Sequence, residues 1–124
     1  MLEAYTLNAT VGAGSAIPFN NVSLEKGCSV INSGPSSIEL NRCGVYMVSF
    51  NGVASSATTV QMYKNEIVQP QAQTFGTNLS FETLVQVAEN NTKCCCSSPT
   101  TLRFVNNGTS ATFPIVNLNV TKIC

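Results

Sequence analysis

The segment from Gly44 to Gly52, GVYMVSFNG, is an unbroken run of strand-forming residues with a glycine on each side. A β-strand repeats every two residues, so alternate side chains point to opposite faces. One face of this segment carries Tyr46, Val48 and Phe50, and the other carries Val45 and Met47. A strand covered on one side only usually has a polar second face. Two apolar faces therefore predict a central strand with a partner packed on each side.

The rest of the sequence also has the two-residue period of strands, and no three-to-four-residue apolar repeat is long enough for a helix. Turn residues such as Asn106, Asn107 and Gly108 separate the runs. The predicted strands are Glu3 to Leu7, Ile17 to Val22, Cys28 to Ile31, Ser37 to Leu40, Gly44 to Gly52, Val60 to Lys64, Leu79 to Val87, Thr101 to Val105 and Phe113 to Ile123. About 8–10 short strands predict an all-β, antiparallel sandwich.

Two segments are predicted to interrupt this strand pattern. The small residues between Asn51 and Thr58 separate the central strand from the next one, and Pro70 ends the short continuation at Ile67 and Val68. A chain of 124 residues fits one domain. We expect a single domain over 1–124, with 1–14 as an N-terminal strand or arm and 15–124 as the core. The expected core side chains are Tyr46, Val48, Phe50, Phe81, Val85, Phe104, Leu118 and Val120.

The composition argues against catalysis and against nucleic acid as a partner. The sequence contains no His and no Asp, which excludes Ser-His-Asp and Cys-His catalytic arrangements within one chain. The six Lys and Arg are scattered singly, and the net charge is zero, so no basic stripe is present to bind phosphates. We therefore expect a protein that is not an enzyme and needs no cofactor.

The six cysteines leave three interpretations open. Cys28 and Cys43 flank a predicted hairpin and lie roughly opposite each other, which suits a cross-strand disulfide. Cys94, Cys95 and Cys96 share one loop, and Cys124 is a candidate partner for them. Free thiols are the second interpretation. A zinc site is the third, although the spacing typical of structural zinc sites is absent.

The N-terminal residues lack the basic and apolar regions of a secretory signal, and no segment is long and apolar enough to span a bilayer. We therefore expect synthesis in the cytosol and no membrane partner. Disulfides rarely persist in that compartment. A particle that assembles inside a cell and is released by lysis would let the thiols oxidise afterwards.

The order of the motifs resembles a known family. GVYMVSF is followed by VQMYKNE, by an alternating strand, by TTLRFVNNG and by the closing FPIVNLNVTKI. This order resembles the jelly roll of the tumour necrosis factor and complement-globular-head superfamily, and is most similar to its small bacterial and phage-encoded members. The resemblance implies a ten-strand sandwich that assembles as a tight homotrimer. Val45 and Met47 are the candidate trimer interface, because a neighbouring copy would cover the second apolar face of the central strand.

These observations lead to one expected function and one alternative. The expected function is a structural protein of a bacteriophage virion, a trimeric capsid decoration or a fibre or tail subunit. It would assemble in the host cytoplasm and contact other virion proteins of the capsid or tail, with a host-surface glycan as a further partner. The alternative is a receptor- or carbohydrate-binding adhesion head of a bacterial or spore-surface filament.

Overall fold

The computed structural model describes residues 1–27, 29–34, 36–87 and 95–123, without the side chains at 33 and 95–99. Within these residues the chain forms nine β-strands and no helix. The strands are β1 (Leu2–Val11), β2 (Ser15–Ala16), β3 (Asn21–Glu25), β4 (Val30–Gly34), β5 (Ser37–Arg42), β6 (Gly44–Lys64), β7 (Ile67–Val87), β8 (Cys95–Asn106) and β9 (Ala111–Lys122). The predicted all-β class and the strand number are confirmed.

All nine strands are joined by hydrogen bonds in one antiparallel sheet, which β6 and β7 divide into two layers. We call these two layers the first and the second sheet. The first sheet has the order β3-β1-β9-β6-β7 and uses residues 44–53 of β6 and 78–87 of β7. The second has the order β4-β5-β8-β6-β7 and uses residues 58–64 of β6 and 67–76 of β7, while β2 also pairs with β8. Both shared strands therefore pass from one layer of the sandwich to the other.

The passage between the layers occurs at a bend in β6 and β7. Residues 54–57 of β6 lie opposite the single residue Thr77 of β7, because Val53 pairs with Asn78 and Thr58 pairs with Gly76. The β6 segment at this bend consists only of Ala and Ser, and Gly76 has a φ of 132° that L side chains rarely adopt. Because these residues are small and Gly76 can adopt the positive φ, both strands bend at the same place.

The side chains that point between the sheets form one apolar core. Tyr46, Val48 and Phe50 of the central strand are fully buried there. The ring of Phe50 stacks on that of Phe104 from the second sheet, with centroids 5.7 Å apart, and on that of Phe81, with centroids 5.3 Å apart. Of the other residues expected in the core, Val85, Phe104, Leu118 and Val120 are buried, and Phe81 is partly buried against the cluster.

A buried asparagine closes one end of the sandwich. The Nδ2 of Asn106 donates to the carbonyl oxygens of Val11 (3.1 Å) and Thr109 (2.9 Å). Its Oδ1 accepts hydrogen bonds from the Thr58 hydroxyl and from the Gly108 N–H. Because Asn106 has no solvent exposure, water cannot replace these bonds, and the side chain joins β1, β6, β8 and the turn before β9.

β6 and β7 form a long hairpin, and a loop of two residues joins them. Lys64 pairs with Ile67, and the two residues between them, Asn65 and Glu66, have φ values of 50° and 66°. Positive φ at both positions defines a type I′ turn, which normally favours Asn followed by Gly. The carboxylate of Glu66 accepts a bond from the Arg103 guanidinium at 2.6 Å. Because its φ is positive, Glu66 occupies a position at which a Cβ atom is unfavourable.

Three sequence expectations about strand limits are wrong. The small residues between Asn51 and Thr58 do not separate two strands, because β6 continues through them from Gly44 to Lys64. The strand that contains Pro70 does not end there, because residues 69–72 bulge out of the β6–β7 pairing and β7 pairs on one side only. The buried Gln61 side chain holds the bulge by donating from Nε2 to the carbonyl oxygens of Gln69 and Ala72. The expected strand from Ile17 to Val22 begins instead at Asn21, although Ile17 is buried and its N–H donates to the Phe104 carbonyl.

Replacing Asn106 with Ala should lower the free energy of unfolding by about 2–4 kcal/mol, because it leaves several buried polar groups without a partner. The matched control is Asn107→Ala, the exposed neighbour, which should cost less than about 0.5 kcal/mol. Urea unfolding of both variants at one protein concentration measures the difference. Equal losses in the two variants would contradict the role of the Asn106 hydrogen bonds.

Replacing Glu66 with Gly should make the protein about 1 kcal/mol more stable than replacing it with Ala. Both changes remove the exposed ion pair with Arg103 equally, so only the backbone cost of a Cβ atom at this φ separates the two variants. Thermal and urea unfolding midpoints provide the measurement. An alanine variant as stable as the glycine variant would show that the turn is not of type I′.

Candidate interaction face

The side chains of the first sheet that point away from the core form a second surface, which we call the outer face. It comprises the outward positions of β1, β9, residues 44–53 of β6 and residues 78–87 of β7. Both interface candidates lie on it, with Met47 40% exposed and Val45 half-buried. Within the described part of the chain, the second apolar face of the central strand is therefore exposed at Met47 and partly covered at Val45.

The strand register arranges the outer face in rows that run across the sheet. A first apolar row contains Leu7, Ile115 and Val53 and ends at Asn78. A second apolar row contains Met47 and Leu84, with Thr121 beside them on β9. Successive rows are two residues apart along each strand, which is about 7 Å.

Two polar rows lie between the apolar rows. The row next to Leu7 and Ile115, which we call the amide row, consists of Tyr5, Asn117, Asn51 and Ser80 in adjacent register positions. The other contains Glu3, Asn119, Ser49 and Glu82. Among the outward positions of these four strands, within the part of the chain that the structure describes, only Glu3 and Glu82 are charged. The outer face is therefore mixed polar and apolar, with very little charge.

The exposed large apolar side chains are unevenly distributed over the molecule. Five lie in the rows of the outer face: Leu7, Met47, Val53, Leu84 and Ile115. Three more, Ile67, Val68 and Phe75, lie on residues 67–76 of β7, and Phe75 is 74% exposed. The remaining three, Met1, Val22 and Ile123, lie outside both groups. Among the described side chains of β4, β5 and β8 none belongs to this group. Contiguous exposed apolar surface is typical of an interaction site.

Shallow depressions follow the seam between β6 and β7 on the outer face. One of about 290 Å³ is lined by the polar residues Asn51, Asn78, Asn117 and Ser80 and by the apolar residues Val53, Ile115, Leu79 and Gly52. A second, of about 150 Å³, lies beside it and is lined by Ser49, Asn51, Ser80, Phe81 and Glu82. Their linings offer neutral hydrogen-bonding groups, with one carboxylate and no pair of carboxylates.

The described residues contain no cluster of three or more His, Cys, Asp or Glu side chains that could hold a metal ion. They also contain no helix long and apolar enough to cross a membrane.

The cysteine predictions have two outcomes. Cys43 is a buried free thiol, so the cross-strand disulfide predicted between it and Cys28 is not supported. Its position at the end of β5, directly before β6, places the side chain in the apolar core. The backbone of Cys95 and Cys96 begins β8, so the expectation that these two residues lie in a loop is wrong. Cys28, Cys94 and Cys124 lie outside the described residues, and so do the side chains of Cys95 and Cys96.

Several residues of the outer face were not predicted from the sequence. Leu84 is the one apolar side chain on the polar side of the alternating run from Leu79 to Val87. That pattern could have predicted an exposed apolar residue in need of a partner. Val53 lies in the stretch of small residues and has no periodic signal, whereas Ile115 lies on the polar side of the alternating run from Phe113 to Ile123 and could have been noticed there. The amide row had no local signal, because its members come from four strands that only the register brings together.

The architecture is that of a tumour necrosis factor and C1q-like jelly roll, as the motif order predicted. The globular domain of a zebrafish complement 1qA protein matches with a TM-score of 0.67 at 6% identity, over 99% of this chain and 96% of that one. The vertex protein P5 of PRD1 matches with a TM-score of 0.67 at 11% identity, over 99% of this chain and 96% of that one. Murine APRIL matches with a TM-score of 0.65 at 6% identity, over 98% of each chain.

At these identities the structural matches establish the fold only. No protein-family model matches the sequence, and no curated protein matches it.

Proposed function

We propose that the protein is a non-enzymatic structural subunit of a bacteriophage virion, and that it assembles as a homotrimer through its outer face. The observation that carries the proposal is that most of the exposed large apolar side chains lie on that face and on residues 67–76 of β7. Surfaces of this kind need a partner to remove them from water. The similarity to a viral vertex protein of the same fold supports a place in the capsid, a fibre or the tail.

A second copy of the chain is the partner that the charge distribution favours. The chain has zero net charge, and the outer face has no cluster of one sign that would call for an oppositely charged partner or repel a copy. A closed ring of three requires a heterologous contact, in which two different surfaces meet. The outer face supplies one, and residues 67–76 of β7 in the second sheet, with Ile67, Val68 and Phe75 exposed, supply the other.

The virion role follows from the same surface chemistry. In such a ring the outer face of each copy is covered by residues 67–76 of β7 from the next copy, and the β4, β5 and β8 part of the second sheet is left for contacts with other virion proteins. The described side chains of β4, β5 and β8 present polar groups such as Glu39, Thr101 and Arg103 there. Contacts of that kind bind by shape and hydrogen bonding and need no reaction chemistry.

Replacing Leu84 with Lys should dissociate the trimer, raising its dissociation constant by at least about 100-fold, because burying an unpaired ammonium is costly. The fold should survive, since Leu84 is 56% exposed in the single chain. Thr101→Lys is the matched control on the second sheet, where the register places it opposite Glu39. Sedimentation velocity at micromolar concentration should give three times the 13.1 kDa chain mass for the control and the chain mass for Leu84→Lys.

Wild-type protein that sediments as a monomer at micromolar concentration would overturn the trimer. The virion role is tested separately by mass spectrometry of purified particles from the source phage. A structural subunit should be present at a stoichiometric copy number. Absence from the particles, together with binding of the isolated protein to cells or glycans, would favour an adhesion head instead.

A further inference from the structure

We infer that Phe75 of one copy is the anchor of the contact between copies, and that its ring occupies the depression of about 290 Å³ on the outer face of the next copy. The inference rests on the proposed self-association and deepens it, because it names the side chain that is inserted and the place that receives it. The ring and the depression are different surfaces of one chain, so the contact is heterologous, as a closed ring of copies requires.

Phe75 is the exception among the phenylalanines of this chain. Of the six, four are buried and Phe81 is partly buried against the core, whereas Phe75 is 74% exposed. Aromatic side chains carry a large apolar area and dominate the energetics of cores and interfaces. A phenylalanine that its own chain leaves in water indicates burial by something outside that chain.

The backbone at Phe75 is fixed before any partner binds. Phe75 pairs with Thr59 in the second sheet and directly precedes Gly76 at the bend of β7. The hydroxyl oxygen of Thr74 accepts a hydrogen bond from the N–H of Ser80 at 3.3 Å, which ties the strand together across the bend. Only the two side-chain torsions of the ring remain to be ordered on binding, so the entropic cost of inserting it is small.

The depression has the size and the lining that an aromatic ring needs. An apolar cavity of about 150 Å³ is enough to bind benzene, and the depression measures about 290 Å³. Its apolar lining includes Val53 and Ile115, which are 38% and 39% exposed in the single chain. Its polar lining is exposed and neutral: Asn51, Asn78, Asn117 and Ser80. Apolar contacts surrounded by solvated polar groups are typical of protein interfaces.

The occupant of the depression is Phe75 of another copy and not that of the same chain. Phe75 is not among the residues that line the depression, and its exposure shows that its ring is in water in the single chain. Each copy offers one ring and one depression, so identical copies joined head to tail leave neither unused once the assembly closes. Neither surface is charged and the chain has zero net charge, so two copies approach without repulsion.

Replacing Phe75 with Ala should raise the trimer dissociation constant by at least about 30-fold, which is the effect expected of a buried aromatic anchor. The matched control is Ile67→Ala, on the same segment and 65% exposed. It should raise the constant by less than about 5-fold, because most interface positions contribute little. Ser80→Trp fills the depression from its own chain and should weaken association as much as Phe75→Ala. Sedimentation velocity measures association, and circular dichroism verifies the fold.

A photo-cross-linking experiment tests the contact directly. A benzophenone analogue of phenylalanine replaces Phe75, and assemblies mixed from isotope-labelled and unlabelled copies are irradiated. Peptides that join a labelled to an unlabelled chain should connect position 75 with residues that line the depression. Extended irradiation should produce a covalent trimer, because each copy inserts one ring and receives another. The same analogue in place of Thr101, on the second sheet, should give no cross-link between copies.

The outcomes separate this inference from the proposed self-association. Cross-links from position 75 only to other parts of the neighbouring copy would overturn the inference and leave the trimer intact. A folded Phe75→Ala variant that remains a trimer of wild-type affinity would do the same. Wild-type protein that sediments at one or two chain masses would overturn the ring together with the inference.

Discussion

The sandwich depends on β6 belonging to both of its sheets. Because residues 46–53 pair with β9 and residues 60–64 pair with β8, the bend between them fixes how far apart the sheets lie and how their side chains meet. Because the bend brings the two sheets together, Phe50 of the first sheet stacks on Phe104 of the second. The outer face depends on the same strand: once Tyr46, Val48 and Phe50 are committed to the core, Met47, Asn51 and Val53 must point away from it.

The two-residue period of a strand explains which features of the fold were predictable from the sequence. Alternation within a strand is local, so the burial of Tyr46 and Val85 and the exposure of Met47 follow from the sequence once the class is known. Strand continuity is not local. Pro70 would end a central strand, but β7 lies at an edge and bulges over Gln61, and neither fact is visible before the partners of β7 are known. Residues 54–57 were likewise predicted to separate two strands, although they form the bend within β6.

The composition of the outer face was predictable only in part for the same reason. The second face of GVYMVSF indicated that Met47 needs a partner, and Leu84 carried a weak signal within its own strand. The amide row depends on pairing between Tyr5 and Asn117 and between Asn117 and Asn51, residues that are far apart in the chain. Asparagine is abundant throughout the sequence, so the positions at the row stand out only after the sheet has been assembled.

The pairing of β1 with β9 has a consequence for how the protein is made. Leu2 lies beside Val120, so the first strand of the chain is inserted between β3 and the last strand. A ribosome exposes β1 long before β9 exists, and until then the chain has no complete first sheet. The first sheet is therefore completed only after β9 has left the ribosome, through contacts of very high sequence separation, which form slowly. Until β9 is in place between β1 and β6, the outer face is incomplete, so the copies cannot associate through it before β9 has been synthesised.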